Sequence, residues 1–377
     1  MRLGRVGGLD LRAQRGRDAV SARAAVGHIR AMPPIRCRAA TPRRTLARAV
    51  ATIACVLASS FAGAAAASGA AVSAGASAEP APITIIVPFA AGGPTDRVAR
   101  ALLPGLARAL GEAVRVRNVG GAGGTVGATE AAQAPPDGRT LLLHHIGMAT
   151  APALYRRLPY DPQRDFAPVG RVVDVPMVLV VRAGFDASSA QDAVRAIRSA
   201  RVSPLVAYAG LGAASHLCGM LLSSALGLDL IQIPYRGTGP ALADLLADKV
   251  DLMCDQTTNT VGPITDGRLR GIAVTTPARL PSLPGLPTAA QVGIPDLRLS
   301  IWHGVFAPRD TPRAVLDTLA RALQSALREP AFASTAAAFD ARVASPLEAT
   351  PAALGALLAS ETARWAPIIR RTGQFAD

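Results

Sequence analysis

Ile83-Thr-Ile-Ile-Val-Pro-Phe-Ala-Ala-Gly-Gly-Pro-Thr-Asp96 is the stretch from which the fold can be read. Its first five residues are a near-continuous apolar run, as in a strand covered on both faces. Pro88 ends the run and Ala91-Gly-Gly-Pro-Thr-Asp96 makes a glycine turn. Val98, Leu102, Leu106 and Leu110 then recur four apart, which predicts a helix. Pro104 lies inside that pattern and is expected to kink or shorten the helix.

The same grammar recurs outward from this unit. Val114-Arg-Val116 is followed by the glycine-dense Asn118–Gly127, and Thr140–Leu143 follows the turn signal Pro136-Asp-Gly138. Val178–Val181 reads as a strand, and Ser189–Ser199 as a helix with Val194 and Ile197 inward. Val206-Ala-Tyr208 leads through Ala209-Gly-Leu-Gly-Ala-Ala-Ser215 into a helix bearing Leu217, Met220, Leu221 and Leu226. Ile231-Gln-Ile233 leads through Pro234-Tyr-Arg-Gly-Thr-Gly-Pro240 into one bearing Leu242, Leu245 and Leu246. Val250–Cys254 and Ile272–Thr276 add two strands. The remainder is helical, with Thr311-Pro312 and Thr350-Pro351 each read as N-cap and first helical residue. Strand, glycine turn and helix in repetition predict an α/β fold, a parallel or mixed sheet with helices on both faces. Ligands of such sheets sit beyond the carboxyl ends of the strands, where the glycine turns fall.

The chain has 377 residues, enough for two domains or one large one, and at 50% hydrophobic and 18% charged it can build a core. Its formal charge is +14, but residues 1–78 hold 12 Arg and only two acidic residues, Asp10 and Asp18. The other 299 residues are close to balanced, with 28 basic and 24 acidic groups, so the charge does not imply a nucleic-acid partner. An Arg-rich start, the apolar run Ala49–Ala58 and the Ala76-Ser-Ala78 pattern before Glu79 read as a secretory signal cleaved near Ala78. The apolar run is shorter than the roughly 20 residues of a membrane span. Cys37 and Cys55 fall within the signal. Cys218 and Cys254 remain in the exported chain as either a disulfide or two buried small residues; their helix-like and strand-like settings favour the second.

Each glycine turn ends where a helix starts, so its backbone N–H groups can meet an anion. Glycine admits a carboxylate close to the main chain, and Thr95, Thr125, Ser215 and Thr238 add hydroxyls. Three or four charge-assisted hydrogen bonds of about 1.5–3 kcal/mol each reach the roughly 8 kcal/mol of micromolar binding without a charged side chain. A dinucleotide site fits poorly, because Val126 takes the third glycine position of G-x-G-x-x-G in Gly121–Val126. A phosphate loop is missing too, since Lys249 is the only lysine. His144 and His145 end a strand and are expected to point to opposite faces, one lining the cleft and the other packing. His216 is expected to cap or line the second-half turn, and His303 to lie in a crossover strand. There is no H-E-x-x-H, G-x-S-x-G or Cys/His cluster, so no metal, cofactor or catalysis is predicted.

The chain resembles the Bug proteins, the periplasmic substrate-binding components of tripartite tricarboxylate transporters. The matching stretches are Ile85–Asp96, Gly121-Ala-Gly-Gly124, Leu158-Pro-Tyr-Asp161 with Asp165-Phe166, Pro234-Tyr-Arg-Gly237, Asp244-Leu-Leu246 with Val250-Asp251, and Leu269-Arg270 with Ala273-Val-Thr275. Pro287-Thr288, Gly293, Trp302-His-Gly304, Ala307-Pro308 and Trp365 continue the series in the same order. The resemblance implies a two-lobed periplasmic binding protein with mixed sheets joined by crossover strands and a ligand clamped between the lobes. It implies that Gly92, Gly93, Thr95 and Asp96 hold one carboxylate, with Phe89 as a wall. Gly147, Met148 and Thr150 would add contacts from the same lobe. The other lobe would supply Gly210, Gly212, Ser215 and His216, then Tyr235, Arg236, Gly237 and Thr238, and also Asp255. His144–Met148 stands where many relatives carry a Ser/Asn-rich segment, and Arg236 where Lys is common.

The expectation is a non-enzymatic, monomeric periplasmic protein that binds a small carboxylate and delivers it to a tripartite-type membrane permease. The alternative is a sensor subunit presenting its closed form to a membrane sensor kinase. Lobe 1 is placed at 83–178 plus 303–377 and lobe 2 at 179–302, with Val178–Val181 and Ser300–Val305 as crossovers.

Overall fold

The structure, a computed structural model, describes residues 81–373, 375 and 376; the expected secretory signal, with Cys37 and Cys55, lies outside the described residues. The chain begins with β1 (Ile83–Val87), α1 (Pro94–Leu110), β2 (Val114–Asn118), α2 (Thr125–Ala132), β3 (Thr140–His145), α3 (Gly147–Leu154) and the long strand β4 (Phe166–Arg182). It continues with α4 (Ala190–Ser199), β5 (Leu205–Tyr208), α5 (Ala214–Leu226), β6 (Ile231–Pro234), α6 (Thr238–Leu246), β7 (Leu252–Gln256), α7 (Thr257–Thr265) and β8 (Leu269–Val274). Then come β9 (Ser300–Pro308), α8 (Arg313–Leu327), α9 (Pro330–Ala337), β10 (Arg342–Val343) and α10 (Pro351–Thr372).

These strands form one mixed sheet in the order β2-β1-β3-β9-β4-β7-β5-β6, with β8 and β10 also paired to β4. β1 is parallel to β2 and β3, and β5 is parallel to β6 and β7, as helical crossovers demand. β4 joins the two parallel sets. Up to Pro176 it pairs antiparallel with β9, and from Met177 it pairs with β7 and β8. One apolar core runs through both sets, from Leu142 and Trp365 past Met177 to Leu217 and Cys254. Two further cores lie under α1 and α8 and under α6.

Local sequence explains the element ends. Gly111 closes α1 in the left-handed region at φ 69, where glycine carries no Cβ penalty. Ser189 caps α4 by accepting from the Asp192 amide, and Thr350 caps α10 by accepting from Ala353, with Pro351 as the first helical residue. Among the described residues, no helix is long and apolar enough to cross a membrane.

Four expectations need correction. Cys218 and Cys254 form a disulfide, their Cα atoms 5.9 Å apart, because α5 packs across β7. α1 runs unshortened through Pro104, whose exposed position leaves the unpaired carbonyl one turn back open to water. Thr311 does not cap α8; its hydroxyl donates to Pro308, and the cap position falls on Pro312. The strand read as Val178–Val181 is 17 residues long, with register shifts at Pro168/Gly170 and Arg171/Val173 absorbing its breakers.

Candidate functional site

Five strand ends converge on one cavity of about 270 Å³. Phe89–Thr95 follow β1, His145 ends β3, Ala209 to Ser215 follow β5, Gly237–Pro240 follow β6, and Asp255 and Gln256 end β7. This is the carboxyl edge of both parallel sets, so the topology itself gathers the loops. Three helices start at the cavity: α1 at Pro94, α5 at Ala214 and α6 at Thr238. Their first intrahelical amide bonds come from Arg97 to Gly93 and from Leu217 to Ala213, leaving the amides of Thr95, Ser215 and Thr238 unused by the helices. No Arg or Lys is among the described residues lining the cavity. Helix dipoles and N–H groups, the features that suit an anion, therefore stand in place of cationic side chains.

The α1 end is fixed by Asp96. Its buried carboxylate accepts from the Gly92 amide at 2.8 Å, from Asn118 Nδ2 at 2.9 Å and from Arg100 Nε at 2.8 Å. Burial alone would raise its pKa, but those bonds outweigh it and hold the carboxyl below its usual value. Asp96 thus folds the loop and does not line the cavity. Ser215 does a similar task in the other set, its Oγ accepting from the Ala209 amide at 2.9 Å while its own proton stays available.

Three buried histidines back the cavity. His145 stacks on Phe89 with centroids 4.5 Å apart, and its Nδ1 accepts from the Gly147 amide at 2.8 Å. His144 meets the same Phe89 ring edge-on at 5.3 Å, so the two neighbours are not split between faces as expected. The chain bends into α3 right after β3, which brings both rings to one side. His303 Nε2 lies 3.3 Å from Thr95 Oγ1, and its Nδ1 lies 3.2 Å from the Ile301 carbonyl. Burial pushes His144 down to about 3 and His303 to about 4; His145 is also held well below its ordinary value, by burial first and then by the other two rings. All three are thereby held toward the neutral form. Burial pushes Asp255 the other way, up to about 6, against hydrogen bonds from the Gln256 amide and Asn259.

Of the residues singled out from sequence, Phe89, Gly92, Gly93, Thr95, Ser215, Gly237, Thr238 and Asp255 line this cavity. Gly210, Tyr235 and Arg236 line a neighbouring opening of about 600 Å³ that shares Phe89, Ala90, Ala209 and Gly237 with it. Gly212 and His216 stand behind the second-half turn, where the Gly212 amide donates to His216 Nδ1 at 3.3 Å. Gly147, Met148 and Thr150 are buried in α3 and do not line the cavity; a Cβ on Gly147 would lie 2.8 Å from His144 Cε1, so this glycine makes room for the rings. His145, Gly239, Pro240 and Gln256 line the cavity without having been singled out, although His145 was one of two candidates for the cleft.

The two parallel sets touch across the opening. Tyr155 Oη lies 2.7 Å from the Ala122 carbonyl and 3.1 Å from that of Leu211. A Cβ on Gly123 would lie 1.8 Å from Leu211 O, and one on Gly237 would lie 3.3 Å from Ala90 Cβ.

Residues 98–374 match the family described as the tripartite tricarboxylate transporter family receptor. Among solved structures, the periplasmic binding protein BugD is 45% identical, with a TM-score of 0.75 over 78% of this chain and 99% of its own. MatC from Rhodopseudomonas palustris with bound malate is 36% identical, with a TM-score of 0.73 over 76% and 98%. Another R. palustris protein, with adipate, is 29% identical, with a TM-score of 0.72 over 78% and 97%. The relatives are solute-binding proteins, not enzymes. With its mixed α/β sheet and a cavity at the carboxyl edges of two parallel strand sets, the chain belongs to the tripartite tricarboxylate transporter receptor family, the periplasmic solute-binding Bug proteins.

Proposed function

We propose that the protein captures a small dicarboxylate between two lobes in the periplasm and hands it to a tripartite-type membrane permease. The observation that carries this reading is the convergence of three helix N-termini, from both parallel sets, on one cavity without a cationic side chain. A helix N-terminus favours an anion by about 0.3–1 kcal/mol at the surface and up to roughly 2 when partly buried. Amide and hydroxyl donors then bring the total into the micromolar range. The Thr95 amide at the start of α1 holds one carboxylate, Gly92 and Gly93 let it approach the main chain, and Ser215, Gly237 and Thr238 close on the ligand from the opposite side, with Phe89 as wall. Gly210, Tyr235 and Arg236 rim the entrance.

Lobe 1 is residues 83–178 with 303–377 and lobe 2 is 179–302. The change of β4 partner after Pro176 supports that division, and the contacts of Tyr155 and Gly123 with Leu211 are those of a closed form. Closure is the signal a permease reads. The protein acts as a monomer, exported with its signal removed near Ala78.

A thermal-shift screen of the protein against succinate, malate, glutarate and adipate tests this. A ligand at 100 times its dissociation constant stabilises the native state by about 2.7 kcal/mol. A folded protein that none of these acids shifts would overturn the reading.

A further inference from the structure

The polar groups facing the cavity are not all donors, and this narrows the ligand. The hydrogen bonds around the histidines assign their protons. A carbonyl oxygen only accepts, so His303 Nδ1, 3.2 Å from the Ile301 carbonyl, carries the proton of the neutral ring. His303 Nε2 is then an acceptor, and the Thr95 hydroxyl 3.3 Å away donates to it. Thr95 Oγ1 therefore turns lone pairs, not a proton, toward the cavity. His145 is the opposite tautomer: its Nδ1 accepts from Gly147, so Nε2 carries the proton. Asp255 adds a carboxylate to the wall at the end of β7, opposite in chemistry to the helix N-termini around it. A ligand with acceptors alone would satisfy the amides and Ser215 but would face the lone pairs of Thr95 and Asp255.

We propose that the cavity recognises a dicarboxylate that also carries a hydrogen-bond-donating substituent, a hydroxyl or an ammonium, and that Asp255 receives that donor, with Thr95 as a second acceptor for an ammonium. The inference rests on the dicarboxylate reading above and deepens it. Burial supports it as well: a carboxylate 1% exposed is costly to hold ionised without a donor opposite it. Asn259 and the Gln256 amide supply part of that need, and the ligand supplies the rest.

The test uses three four-carbon acids that differ at one position, succinate, L-malate and L-aspartate, titrated calorimetrically into protein recovered from the periplasm of an expression host. Malate or aspartate should bind at least about tenfold tighter than succinate, the factor that one hydrogen bond of about 1.4 kcal/mol confers. Asp255→Ala should reduce that preference to under about threefold. Asp255→Asn keeps an oxygen acceptor without the charge, so it should spare a preference for malate and abolish one for aspartate, which separates the two donors. Succinate binding within about threefold of both others in the unmutated protein would overturn the inference, whether or not the variants fold, while leaving the dicarboxylate reading standing. If neither these acids nor adipate bind, both fall together.

Discussion

Gly123 offers a perturbation whose effect on binding and on folding can be separated. It sits at φ 62, and an added Cβ would lie 1.8 Å from Leu211 O and 2.6 Å from Tyr155 Oη. Ordinary contacts of a Cβ start at about 3.4 Å, so in Gly123→Ala the turn after β5 must retreat by well over an ångström. That turn leads into the N-terminus of α5, and with it the Ser215 amide and hydroxyl leave the ligand. Losing one such charge-assisted bond of about 1.5–3 kcal/mol weakens binding roughly 10- to 150-fold, and losing a second weakens it further. The substitution also strains the backbone by about 1–2 kcal/mol, because a Cβ is disfavoured in the left-handed region. Gly111→Ala is the control: its φ is 69, but nothing lies within 4 Å of the added Cβ. Both variants should lose similar stability in urea, and only Gly123→Ala should lose affinity in calorimetry with the tightest of the four-carbon acids or adipate. Wild-type affinity in Gly123→Ala would refute the argument that these loops meet when the ligand is held.

The disulfide closes a separation of 36 residues, so chain-entropy arguments predict that Cys218→Ala with Cys254→Ala costs about 3–4 kcal/mol in denaturant unfolding. Asp96→Ala should cost about 2–4 kcal/mol and weaken carboxylate binding, since the Gly92 amide, Asn118 and Arg100 lose a shared buried acceptor. Urea melts at graded pH should find stability falling as acid rises from about pH 6.5, the unfolded histidine value, toward 4. His144, His145 and His303 stay unprotonated in the native state while the unfolded chain takes up protons, each contributing up to about 1.4 kcal/mol per pH unit. Asp255 works in the opposite sense, gaining a proton in the native state near pH 6, so a flat or rising profile across this window would show that the three rings are not held neutral.

Much of this architecture is legible in the sequence, for reasons that differ along the chain. β1 is an uninterrupted apolar run ended by Pro88, and the structure starts and stops it at the expected residues. Ser189 and Thr350 announce their helices because capping is a local hydrogen bond. The first part of β4 is hidden because Pro168, Gly170 and Pro176 punctuate it, and because the half-buried Arg171 and buried Asp174 join an ion-pair cluster with Arg342 and Glu348, far along the chain. The disulfide was unreadable for the same reason, since pairing Cys218 with Cys254 requires knowing that α5 lies over β7. At the site, the glycine turns mark the loops that line the cavity. The histidine tautomers do not, because they depend on Gly147 and Ile301 as partners in space.

A crystal structure of the protein soaked with the tightest-binding of these dicarboxylates tests the central claim most directly. Carboxylate oxygens should lie within about 2.7–3.2 Å of amide nitrogens at the starts of α1 and of α5 or α6, with the ligand enclosed between Phe89 and Gly237. A ligand bound elsewhere, or held by arginine side chains with these helix ends left to water, would contradict it.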